Sequence, residues 1–137
     1  MLVKLLSEFS KAPIRKTDGA AGYDLSSIED VDIPANSRKL VDIGLSFTVP
    51  ENTYGQIAPR SGLAVKGIDI GAGVIDHDYT GPVKVLMINT SDTVFTVEKG
   101  SRIAQLIIKK IETPEINIVD DLSVTDRGNG GFGSTGV

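Results

Sequence analysis

A chain of 137 residues, 40% apolar and 23% charged, has the size and composition of one globular domain able to bury its own core, which excludes a disordered or membrane-embedded segment. It contains no cysteine, so disulfides, thiolate catalysis and cysteine-built zinc sites are excluded too. A net charge of −4 argues against sequence-independent binding to nucleic acid, although a few arginines and backbone N–H groups can still converge on an anionic ligand.

The chain begins Met1-Leu2-Val3-Lys4, without the basic, apolar and small-residue succession of a signal peptide. Its longest apolar run, residues 103–108, is interrupted by Gln105 and is far too short for a bilayer. A soluble intracellular protein of cytoplasm or nucleus, with no membrane contact, is expected. The first polar feature is Ala21-Gly22-Tyr23-Asp24-Leu25. Its carboxylate can cap a turn or hold a metal-bound water, and the residues alone favour the turn. Residues 40–49 place Val41, Ile43, Leu45, Phe47 and Val49 on one face, the period of a half-buried strand, ended by Pro50-Glu51-Asn52. Ile57-Ala58-Pro59 reads as a strand end, followed by Arg60-Ser61-Gly62 at the start of a short helix over residues 61–66. The planar guanidinium, the hydroxyl and the bare backbone at Gly62 suit an anion. A plain helix entry with a solvated arginine fits equally well.

Further on, Gly71-Ala72-Gly73-Val74-Ile75 and Pro82-Val83-Lys84 flank a turn that holds Asp76, His77, Asp78 and Tyr79. Neighbouring strand residues face opposite ways, so the Asp-His-Asp run is no metal triad, and His77 is expected in solvent. A carboxylate set by an apolar turn can serve as a general base, or merely cap the turn. Residues 83–88, 94–97 and 102–111 are β-branched runs joined by turn-forming sequences. Many short strands with one short helix predict an all-β sandwich, jelly roll or barrel. Residues 1–126 form the expected core. Residues 127–137, with five glycines, form an expected flexible tail. Its Gly128-x-Gly130-x-x-Gly133 spacing matches a dinucleotide loop, but no strand-then-helix context is possible so near the end, and the Walker lysine is absent.

Taken in order, the segments at Asp24, at Arg60-Ser61-Gly62 and at residues 71–84, then Gly100-Ser101-Arg102-Ile103-Ala104-Gln105-Leu106, and finally Arg127-Gly-Asn-Gly-Gly-Phe-Gly-Ser-Thr-Gly, resemble the five motifs of the trimeric dUTPase family. The resemblance runs from Ala21 to Gly136. It implies a distorted jelly roll, a homotrimer with active sites shared between subunits, and Mg²⁺-assisted hydrolysis of dUTP to dUMP and pyrophosphate. That reaction clears dUTP from the nucleotide pool and supplies the dTMP precursor. Carried over by position, Asp76 is implied as the base that activates the attacking water. Tyr79 is implied beneath the deoxyribose, with Gly73, Val74, Ile75 and Lys84 reading uracil through the backbone. Arg60, Ser61, Gly62 and Gln105 are implied on the phosphates, and Asp24 on the metal through water. Arg127, Phe132 and Gly133 are implied in the closing tail. A dCTP deaminase-like enzyme or a non-catalytic nucleotide-binding β-sandwich are the alternatives, and the complete glycine-rich tail favours hydrolysis over both.

Overall fold

The computed structural model describes residues 1–131. Ten strands and one short helix follow in the order β1 (Val3–Leu5), β2 (Tyr23–Ser26), β3 (Val31–Ile33), β4 (Ser37–Phe47), β5 (Thr53–Ala58), α1 (Ser61–Ala64), β6 (Ile68–Gly71), β7 (Val74–Ile75), β8 (Val83–Asn89), β9 (Phe95–Val97) and β10 (Arg102–Lys110). They form two four-stranded sheets, ordered β1-β4-β8-β6 and β2-β10-β5-β7, and a two-stranded sheet, β3-β9. Every pairing is antiparallel. The fold is therefore the expected all-β jelly roll with one short helix.

The core lies between the sheets, where alternate residues point inward. Leu25, Ile33, Val41, Ile43, Leu45, Val85, Met87, Ala104 and Leu106 are fully buried. The strand expected over residues 40–49 begins earlier, at Ser37, and carries an irregularity that the alternation conceals. Val41 pairs with Val85 and Leu45 with Val83, so β4 has two extra residues between those pairs. Gly44 occupies the bulge at φ +63°, a conformation open mainly to glycine. The Asp42 carboxylate accepts the Gly44 N–H at 2.8 Å, and the Ser10 hydroxyl donates to the Gly44 carbonyl at 2.7 Å. Because two residues are inserted rather than one, Val41 and Ile43 stay on the same face as Leu45 and Phe47.

The helix is shorter than expected, ending at Ala64. The run over 94–97 begins pairing at Phe95. Beyond β10, residues 111–131 hold no strand or helix and leave Ile116, Ile118, Leu122 and Val124 exposed. Among the described residues no helix is long and apolar enough to cross a membrane.

Candidate active site

Two cavities collect the polar residues singled out above, and they share no wall. The first, about 610 Å³, is lined by Gly22, Asp24, Arg60, Ser61, Gly62, Arg102 and Gln105 among others, with Lys16 at its rim. Asp24 sits on β2, directly opposite Gln105 on β10, which in turn lies opposite Ala58 on β5. Two adjacent strands, β2 and β10, and the α1 entry that follows β5 thus deliver their side chains to one spot. Gln105 donates its amide to the Pro59 carbonyl at 2.9 Å. A Cβ on Gly22 would come within 2.3 Å of the Gln105 side-chain oxygen, so this position must lack a side chain for Gln105 to stand where it does.

Asp24 is a strand residue held by two arginines, not the turn cap its local sequence favours. Its Oδ1 lies 3.2 Å from Arg60 Nε, and its Oδ2 accepts Arg102 Nη1 at 2.8 Å. At α1, the residue before the helix is Arg60, and no side chain caps the first turn. The N–H groups of Ser61 and Gly62 therefore lack intrahelical partners on the cavity wall. A Cβ at Gly62 would meet nothing within 4 Å, which leaves its backbone open to a ligand. A cluster with net positive charge, a fixed amide and bare N–H groups can hold a chain of phosphates.

The second cavity, about 350 Å³, is lined by Val74, Ile75, Asp76, Tyr79, Pro82, Val83 and Lys84. It is the mouth of the turn between β7 and β8. The Asp76 carbonyl accepts the Tyr79 N–H at 3.2 Å, and the Tyr79 hydroxyl donates to the Pro82 carbonyl at 2.8 Å. Both bonds fix the ring over the turn. Asp76 is exposed at the rim, and His77 is exposed as expected. Among the described residues no group of three or more His, Asp or Glu could hold a metal ion. Gly73 immediately precedes this wall. Its φ is +89°, its carbonyl accepts the Ile57 N–H at 2.7 Å, and a Cβ there would come within 2.6 Å of the Ile57 carbonyl.

Lys84 Nζ lies 3.1 Å from the Asp42 carboxylate. Burial alone pushes the Asp42 carboxyl upward, but the Gly44 N–H, the Lys84 ammonium and the Ile43 N–H outweigh it. Together they hold this group below its ordinary 3.8.

Within one chain the cavities are far apart. From β2 to β7 there are three strand steps of about 4.8 Å. Asp76 also lies beyond Val74, which pairs with Gln56, and so stands about four residues along β5 from the level of Asp24. Asp24 and Asp76 of one chain are then on the order of 20 Å apart, by strand and residue spacing. Arg127 is exposed and lines neither cavity, its Nε donating to the Gly130 carbonyl at 2.9 Å. Phe132 and Gly133 lie outside the described residues.

Arg102 is the residue that local sequence reading passes over. It stands three residues before Gln105, and a regular strand would turn the two to opposite faces. Its local signal is weak, an arginine opening a strand that also carries Gln105, Lys109 and Lys110.

Residues 9–136 match the family model described as dUTPase. The chain is 56% identical to the deoxyuridine 5'-triphosphate nucleotidohydrolase of Yarrowia lipolytica over 98% of its own length and 88% of that protein. Its fold superposes on the Staphylococcus bacteriophage 80alpha dUTPase with dUPNHPP at a TM-score of 0.93. The two share 32% identity, over 99% of this chain and 98% of that one. A mutant of the dUTPase from phage phi11 of S. aureus, described with a structural Mg(II) ion, superposes at 0.84 with 25% identity, over 90% and 98% of the two chains.

Proposed function

The chain belongs to the dUTPase family and is a dUTP diphosphatase, and we propose that it cuts dUTP to dUMP and pyrophosphate in sites assembled between the chains of a homotrimer. The observation that carries this arrangement is the separation of the two half-sites. A general base must come within about 3 Å of the water it activates. The carboxylate in the second cavity cannot serve a phosphate in the first cavity of its own chain, but it can serve a neighbour's. The exposed apolar residues Ile116, Ile118, Leu122 and Val124 also support association, because large apolar side chains exposed in such number along one segment are normally covered.

In this reading the phosphates lie along Arg60, the N–H groups of Ser61 and Gly62, and Gln105. The Asp76 carboxylate orients a water in line with the α-phosphorus and takes its proton as the oxygen attacks. The bond from the α-phosphorus to the bridging oxygen breaks, and pyrophosphate leaves. The backbone of Val74, Ile75 and Lys84 offers fixed donors and acceptors to the uracil edge. Cytosine would leave those groups unpaired, a strong form of rejection. Gly73 reads the base with them, and its carbonyl closes the hairpin against β5. Tyr79, its ring tied down through its hydroxyl, excludes a 2′-hydroxyl beneath the sugar. Arg127 and, from the rest of the tail, Phe132 and Gly133 close over the nucleotide.

Mg²⁺ fits this donor set in one way. The first cavity offers a single carboxylate, Asp24, already engaged by two arginines, so the chain builds no closed cage. Mg²⁺ characteristically keeps several waters and binds through one or two carboxylates together with substrate phosphates. Asp24 would hold it through water, and the ion would neutralise charge on the phosphates.

Pyrophosphate release measured across dUTP, dCTP, dTTP and UTP, with and without Mg²⁺, tests the reading. A strong preference for dUTP is expected, and comparable rates on all four nucleotides would overturn it.

A further inference from the structure

The first cavity contains a device that the roles given to Asp24, Arg60 and Gln105 do not explain. β10 pairs with β2 in a register that slips once. Gln105 lies opposite Asp24 and Ala104 opposite Leu25, yet Arg102 lies opposite Ser26. One residue, Ile103, is therefore extra, and both Ile103 and Ala104 are buried in succession, as a bulge requires. The bulge reverses the parity of the strand. Arg102, which a regular strand would turn away from Gln105, is brought to the same face as Gln105 and Asp24.

What Arg102 does there is visible in three contacts that form a closed ring. Its Nη1 donates to Asp24 Oδ2 at 2.8 Å, and Asp24 Oδ1 lies 3.2 Å from Arg60 Nε. Arg60 Nη1 then donates back to the Arg102 carbonyl at 3.0 Å. Arg102 thus touches Asp24 with its side chain and Arg60 with its backbone. Two guanidinium groups against one carboxylate leave the ring with a net +1, to which Lys16 in the cavity lining adds. A long side chain held in place beforehand also loses less rotamer freedom when ligand arrives.

Building on the dUTP reading above, we propose that Arg102 is a positioning residue. The bulge at Ile103 turns it onto Asp24, and the Arg102–Asp24–Arg60 ring presets both the carboxylate that faces the metal and the guanidinium that faces the phosphates.

The test is a double-mutant cycle on kcat/KM for dUTP with Arg102→Met, Asp24→Asn and the double variant. It is accompanied by calorimetric binding of α,β-imido-dUTP and by thermal unfolding of each variant. Outer partners of this kind are worth roughly 10–100-fold in activity. Arg102→Met is expected to lose activity and analogue affinity on that scale in the wild-type background, and to change both by less than about threefold once Asp24 is already Asn. Equal losses in the two backgrounds would mean that Arg102 meets the nucleotide directly, and would overturn the proposal. A fall in Tm with unchanged kcat/KM and affinity would overturn it as well, by reducing Arg102 to a structural role. Should Arg102→Met fail to fold, Arg102→Lys, which keeps the stem and the charge but not the planar fork, runs the same cycle with the same expectations. Wild-type protein that leaves dUTP uncut would sink the dUTP reading itself. Wild-type turnover with additive losses would sink only the role given to Arg102.

Discussion

The two cavities are built by opposite means. The first cavity is a side-chain construction: Asp24 from β2, Arg102 and Gln105 from β10 and Arg60 from the entry to α1 are locked by ion pairs and an amide bond. The second is a backbone construction, a turn between a two-residue strand and β8, with one carboxylate and one ring hung from it. The difference suits the proposed division of the nucleotide, phosphates in the first cavity and base in the second. Phosphate is the same group in every nucleotide, so charge suffices to hold it but not to choose between nucleotides. A base edge is read by directional donors and acceptors, and main-chain groups provide these without rotamer freedom. The acidic chain as a whole therefore needs only a small cationic cluster to hold a triphosphate.

This contrast predicts where damage falls. The largest effect is expected at the turn. Asp76→Asn should leave binding of α,β-imido-dUTP intact while lowering kcat by roughly 10²–10⁴, the usual scale for a general base. Steady-state turnover near wild type would break the assignment. Next, truncation after Asp126 should leave Tm unchanged, because residues 127–130 are at the surface of the described structure and add nothing to the core. It should lower kcat/KM by roughly 10²–10³ if the tail supplies even one preorganised donor to the developing charge. Retained hydrolysis would show that the two cavities suffice without it. A smaller and more selective effect is expected at Tyr79. Tyr79→Ala should raise the UTP-to-dUTP activity ratio by about tenfold, the order of one removed steric exclusion. An unchanged ratio would place sugar discrimination elsewhere.

The smallest effect concerns stability and pH. The Asp42 carboxyl is held below its ordinary value in the folded chain. Its contribution to stability is therefore present above about pH 4 and is lost as pH falls through the lower folded value. Asp42→Asn should lower Tm by a few degrees at pH 7, and the gap should shrink toward zero as pH falls below about 4. A gap that stayed constant, measured by circular dichroism across that range, would contradict this role at the β4 bulge.

Much of the architecture is legible in the sequence because the core obeys simple parity. Val41, Ile43, Leu45, Phe47 and Val49 alternate in sequence and are all buried in the structure. That alternation survives the β4 bulge only because two residues are inserted, which conserves parity. Where one residue is inserted, at Ile103, parity fails, and the placement of Arg102 is hidden from any strand pattern. The short strands β1, β2 and β3 are equally hard to see, since three or four residues carry too little periodicity to read. Asp24 reads locally as a turn residue because its ion partners lie 36 and 78 positions away in sequence, beyond any local pattern. The separation of the two cavities on opposite edges of one sheet is likewise a property of strand order, which no motif spacing encodes.

The central claim is that one working site is built from two chains, and subunit mixing tests it most directly. One variant carries Arg60→Ala, which damages the first cavity, and the other carries Asp76→Asn, which damages the second. Each alone should be nearly inactive on dUTP. Refolded together at equal amounts, they should regain activity in roughly a quarter of the sites, the share that random assortment in a symmetric ring gives an intact pair. A mixture no more active than the two variants measured separately would contradict the account, because it would mean that both cavities of a working site belong to the same chain.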